Sequence, residues 1–286
     1  MRAARNALRP GNPAARHPFI HLTLVVLLLL ALVPLGLMIL ISFKSPSQYL
    51  VNPVGLTFPP HAENYLKAAV FIAPSFMWTF LVIVCGISLN LVTSSLAAYA
   101  FARYRFPGGS VLFFSITGLM FIPSIVVLFP LYLWNVRLGL RDVWGLIVSY
   151  WILGQCFSVF FLQNAFRSLP EEMFEAARID GAGHLRLWAR IVLPLSRSMI
   201  TTLAVMMLLW IYTNDYVWQY IMAGSAQRTM VPVVLRGLSQ TGSGGSDLDR
   251  GLESAGYVVA SAPMLLAFLF ASKAFVRGLM SGSTKG

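Results

Sequence analysis

The chain has 286 residues, of which 57% are hydrophobic and only 11% charged. Soluble domains carry about 25% charged residues, so the ionic side chains are too few to wet a globular surface and a soluble enzyme is excluded. The formal charge of +11 comes from basic residues that flank apolar runs rather than forming one patch, which argues against a nucleic-acid partner.

A spanning helix needs about 20 apolar residues with few or no charges. Six stretches meet that condition and predict an all-α polytopic membrane protein with spans at about 22–43, 76–100, 111–134, 143–163, 198–222 and 254–272. Residues 1–21 are basic, as before a signal peptide. The apolar run that follows is too long for a signal core and no A-x-A site comes after it, so it reads as a retained helix. The charge-free stretch 68–102 exceeds one span. Its helix is therefore expected to begin near Phe76, after a proline-rich loop, Lys44–Ser75, with a short amphipathic helix around Glu63–Val70. Gly86, Ser88, Ser94, Ser95, Ala97 and Ala98 give this second span a small-residue surface for close helix approach. Pro34, Pro123, Pro130 and Pro263 fall inside spans and predict kinks. Between spans five and six, Thr241–Ser246 is a Gly/Ser tract expected to be flexible.

Six spans put both termini on one side. With the termini inside, that side holds Arg2, Arg5, Arg9, Arg16, Arg103, Arg105, Arg167, Arg178, Arg186, Arg190, Arg197, Lys273, Arg277 and Lys285. The other side holds Lys44, Lys67, Arg137, Arg141, Arg228, Arg236 and Arg250, half as many. The excess predicts cytoplasmic termini in an inner membrane.

The longest inner loop, 164–197, carries the most information. Ser168-Leu-Pro-Glu171 reads as a capping box opening a helix over about 169–179. Asp180-Gly181 breaks it, and a second piece, about 183–192, stops at Pro194. Ala176 and Ala177 leave a low surface that a partner's groove can approach, with Glu175 and Arg178 as charges at its edge.

Glu175-Ala176-Ala177, then Gly181, then Ile191-x-Leu193-Pro194 resemble the EAA signature of the permease subunits of ABC importers, spacing included. Asp180 and Trp188 fit the same pattern; Ser198 departs from it, where many relatives have a proline nearby. The resemblance implies a type I importer bundle in which this loop couples to an ATPase through Glu175, Ala176, Ala177, Asp180, Gly181, Ile191, Leu193 and Pro194. Pro59–Tyr65, Ala98–Gly108 and the tail 278–286 are similar to the carbohydrate branch, and in particular to the second permease of maltose-type importers. It further implies a heterodimer with a second permease, an ATPase dimer that holds ATP and magnesium, and an extracytoplasmic solute-binding protein that delivers the sugar. No cofactor is expected in this chain.

In span five, Asn214, Asp215, Trp218 and Gln219 share one side of an unbroken helix. A carboxylate at mid-depth costs about 2.5–3.5 kcal/mol on insertion scales, so Asp215 should face water or a partner. Aromatic faces beside carboxylate and amide groups suit sugar hydroxyls, and the Asn-Asp-x-x-Trp run resembles one in sugar permeases. An interfacial aromatic belt with Asp215 paired to an arginine is the other reading.

Catalysis is not expected. None of the four lysines, Lys44, Lys67, Lys273 and Lys285, follows a glycine, so there is no P-loop to reach phosphates. Cys85 and Cys156 lie far apart in apolar runs, and His17, His21, His61 and His184 have no partner at metal-ligand spacing. A stand-alone secondary transporter of a small polar solute is the competing class. Its sign is charged residues in several spans, and only Asp215 qualifies.

Overall fold

The computed structural model describes residues 18–222, 229–238 and 249–283. The Gly/Ser tract 241–246 and the last tail residues, 284–286, lie outside them. Among the described residues every regular element is a helix. Helix α1 is Pro18–Ser42, α2 Pro46–Val51 and α3 Glu63–Arg103; α4 is Gly109–Gly118, α5 Ser124–Arg137, α6 Asp142–Leu153 and α7 Gln155–Arg167. The chain continues with α8 (Glu172–Ile179), α9 (His184–Leu187), α10 (Leu193–Leu195), α11 (Arg197–Leu209), α12 (Tyr216–Met222), α13 (Val231–Leu238) and α14 (Arg250–Ser283).

Helix α3 is the axis of the bundle, packed against α6, α7, α11, α13 and α14. It runs 41 residues without a break, about 60 Å at 1.5 Å per residue. The expected short helix at 63–70 and the expected start near Phe76 therefore merge into one rod. Pro74 sits inside the rod and does not end it. Gly86 gives the close approach expected of the small residues, since a Cβ there would stand 3.1 Å from the Tyr150 Cβ on α6; Ser94, Ser95 and Ala98 are buried as well, whereas Ser88 is exposed.

Three helices are long and apolar enough to cross a membrane alone: 19–42, 63–103 and 250–269; three bent pairs raise the number to as many as six. Span three turns by 102° between Gly109–Phe121 and Ser124–Arg137, far more than a kink. Ile122 precedes Pro123 and is pushed into extended backbone, ψ 119°, because the proline ring excludes the helical region there. Pro130 stays inside α5. Span four bends by 43° between α6 and α7. The Trp151 carbonyl freed near the bend accepts from Asn90 Nδ2 and Gln155 Nε2, both at 3.0 Å, as backbone groups in hydrocarbon require.

The first helix forms where expected, and the last runs further than expected. Helix α1 has no buried residue in its apolar window. Helix α14 runs 34 residues to Ser283, so the expected tail 278–286 is helical as far as it is described.

At the end opposite the 164–197 loop, α13 and the starts of α3 and α14 close a small lobe around Ala68, Ile72, Val231, Leu235, Leu238 and Ala255. Lys44 is 1% exposed, and its Nζ donates to the Asn52 and Gly55 carbonyls at 2.5 and 2.6 Å. That pins the proline-rich loop to the end of α1. Nearby, His61 Nδ1 meets Glu63 Oε1 at 2.6 Å.

Candidate functional site

Residues 168–196 form an elbow whose base is apolar and whose tip is exposed. Phe174, Leu187 and Val192 are fully buried with Tyr99, Leu162, Phe166 and Leu203, so one side of each short helix is nailed to the ends of α3, α7 and α11. Arg103, the last residue of α3, ties the base together. Its guanidinium lies 4.1 Å from the centre of the Phe174 ring. One amino nitrogen bonds Glu171 Oε2 at 2.6 Å, and the other donates to the Phe166 and Leu169 carbonyls, each at 2.7 Å. The planar fork of arginine serves these acceptors from two separate nitrogens, a geometry that the single point charge of a lysine lacks.

This network replaces the expected capping box. The Ser168 hydroxyl donates to the Ala165 carbonyl at 2.8 Å, α8 has no side-chain cap, and Glu171 also meets Arg178 at 3.5 Å. A carboxylate gains more from a charged arginine than from a neutral amide, so Glu171 turns toward Arg103.

The break at Asp180-Gly181 forms as predicted. Gly181 has φ +74°. Its N–H donates to the Arg178 carbonyl at 3.0 Å and that of Ala182 to the Ala177 carbonyl at 2.9 Å. These are the paired bonds of a Schellman ending, with the glycine in the left-handed position. The second piece departs from expectation. Helix α9 has only four residues, a π-turn covers Trp188–Val192, and Pro194 sits inside α10 rather than ending the helix. The chain bends by 77° between His184–Leu195 and Arg197–Asn214.

The eight residues expected to couple divide by exposure. Glu175, Ala176, Asp180, Gly181 and Pro194 are exposed, while Ala177, Ile191 and Leu193 are half-buried. Ala177 packs into the base, so Ala176 alone forms the low surface of α8. Sequence reasoning missed the apolar tip: Ile179 is 87% and Leu185 71% exposed. A hydrophobic residue on each side of an Asp-Gly turn was the available signal. Tyr99, Tyr104 and His184 form a hydrogen-bonded chain of 2.8 and 2.5 Å that tethers α9 to the end of α3.

The span-five residues are arranged differently from the expectation. A π-turn covers Trp210–Asn214 and the helix breaks at Asp215, φ −101° and ψ 56°. The four residues therefore do not share one face. Asn214 is exposed and Asp215 half-buried, whereas Trp218 and Gln219 pack inside the chain. Gln219 Nε2 donates to the Ile211 carbonyl at 2.6 Å, repairing a backbone acceptor that the break sets free. The fully buried Tyr150 on α6 shares the core with Trp218 and Ile211, and its hydroxyl has no hydrogen-bond partner among the described residues. Beside the break, a cleft of about 380 Å³ is lined by Tyr212, Thr213, Tyr216, Tyr257 and Ser261, among others.

Residues 90–281 match the family described as the binding-protein-dependent transport system inner membrane component. The chain belongs to that family. The match takes in the elbow, the break and most of the bundle. Among curated relatives, the maltodextrin transport system permease protein MdxG of Bacillus subtilis is 34% identical over 204 residues, 69% of this chain and 70% of the relative. The diacetylchitobiose uptake system permease protein NgcG of Streptomyces coelicolor is 29% identical over 252 residues, 87% of this chain and 82% of the relative. A solved chain of a bacterial ABC transporter that imports the acidic polysaccharide alginate superposes with TM-score 0.76, covering 88% of this chain and 94% of the other at 21% identity. This inner membrane component thus has the fold of an ABC importer permease.

Proposed function

We propose that this inner membrane component forms half of the translocation pathway of an ATP-driven importer for a carbohydrate. A second permease supplies the other half, an extracytoplasmic binding protein the cargo, and an ATPase dimer the energy. The relatives named for maltodextrin and diacetylchitobiose support the substrate class. One observation carries the coupling role: the elbow is anchored by buried Phe174, Leu187 and Val192 while Ile179 and Leu185 stand free. A rigid base under an apolar tip is what a partner's groove needs in order to push on the bundle. ATP and magnesium reside in the ATPase, since this chain has no P-loop lysine.

The sugar pathway runs past the break. The cleft of Tyr212, Tyr216 and Tyr257 with Thr213 and Ser261 offers ring faces and hydroxyls, the chemistry a sugar uses. Asn214 and Asp215 lie between Thr213 and Tyr216 in the chain and do not line the cleft themselves. Trp218 and Gln219 hold the break in place from inside, so they position the pathway rather than line it.

Proteoliposomes containing this chain, its partner permease and the ATPase test the reading. With the binding protein present, they should accumulate labelled oligosaccharide in an ATP-dependent, vanadate-sensitive manner. Uptake by this chain alone, driven by an ion gradient, would contradict it and favour the secondary-transporter class.

A further inference from the structure

We propose that the cavity between the ends of α3, α4 and α7 binds the phosphate headgroup of an anionic phospholipid. The cavity measures about 810 Å³ and is lined by Arg103, Arg105, Arg167, Glu171 and Ser110 beside an aromatic wall. Three arginines face one glutamate there, and that glutamate is already engaged by Arg103 and Arg178. Neither Arg105 nor Arg167 has an ion pair or a side-chain hydrogen bond among the described residues. The cavity is therefore short of negative charge.

Two further observations point to an anion. Arg103 has a side chain only 7% exposed, and its Nε lacks a partner. Helix α4, ten residues long, opens at the cavity with no side-chain cap and no acidic residue in its first turn. Unpaired amides at such an end favour a phosphate.

The surroundings select a lipid over a free ion. Phe101 packs against Phe106 and Phe113 at 5.8 and 5.5 Å between ring centres. Phe114 is 71% exposed beside them. A phosphate site with an apolar flank matches a headgroup continuing into an acyl chain. Its depth fits as well: it lies where α3 ends, on the side that the basic residues assign to the cytoplasm. Basic pockets between helices on that face are where anionic headgroups bind. The inference rests on that topology but not on the transported substrate.

Native mass spectrometry of the full-length chain in micelles tests it, with phosphatidylglycerol, phosphatidylcholine and inorganic phosphate as separate probes. The native chain should retain phosphatidylglycerol over phosphatidylcholine. Arg105→Gln with Arg167→Gln should weaken that binding about thirtyfold, at the strength of two basic residues near an anionic surface. Arg105→Lys with Arg167→Lys should keep most of the preference and checks that the pocket survives substitution. Equal retention of the two lipids, an unchanged preference in the glutamine variant, or inorganic phosphate at millimolar concentration displacing phosphatidylglycerol completely would each overturn the proposal. Binding is read without transport, so such a failure leaves the import reading standing.

Discussion

The elbow and the span-five break both interrupt apolar helices with a π-turn, yet they are built in opposite senses. The elbow buries apolar side chains and an arginine fork at its base and leaves its tip bare. The break buries its polar groups, Gln219 and the Tyr150 hydroxyl, and leaves Asn214 and the tyrosine cleft open. On the proposed function, the element that transmits force is anchored like a protein core, and the one beside the route for polar cargo satisfies a freed backbone carbonyl with a side chain turned inward.

Substitutions at four positions can break or sharpen that contrast. Phe174→Ala removes the central nail of the elbow and should cost about 3–5 kcal/mol locally. Hydrogen exchange should then rise across 172–195 while α3 and α7 stay protected; protection unchanged at the elbow would mean that its base is not anchored there. Gly181→Val comes next. No atom lies within 4 Å of the added Cβ, so the effect is backbone alone, about 1–2 kcal/mol for a left-handed residue. Reconstituted ATP-driven uptake should fall roughly tenfold, with Gly181→Asn close to native because asparagine visits that conformation. Gln219→Leu leaves the Ile211 carbonyl without its donor and should lower stability by about 0.6–1.7 kcal/mol, read as a lower thermal midpoint in micelles; a higher midpoint would show that the break does not need this bond. Ile179→Ser should shift stability least, within about 0.5 kcal/mol, while reducing co-purification of the ATPase. A stable protein that still binds the ATPase normally would remove the tip from the contact.

Much of this was legible in the sequence, for physical reasons that can be named. Charge-free runs of about 20 residues force helices in a bilayer, so the apolar elements were readable. The Asp180-Gly181 break was readable because glycine takes φ +74° without strain. Helical phase in span five was not, because a π-turn rotates every later side chain and carries no fixed composition. The 102° turn at Pro123 was readable as a disturbance and not as an angle, which packing decides. The capping box failed because Arg103, 65 residues before Ser168 in the chain, competes for Glu171. Helix α13 went unnoticed although Val231, Val234, Leu235 and Leu238 repeat at helical spacing; the Gly/Ser tract beside it masked the signal.

Cysteine cross-linking from position 179 tests the central claim most directly. In the assembled importer, Ile179→Cys should bond to a single cysteine placed in the cleft of the ATPase, and ATP should change the yield. The same cysteine reacting only with a membrane-impermeant reagent added from the outside, and never with the ATPase, would contradict the account.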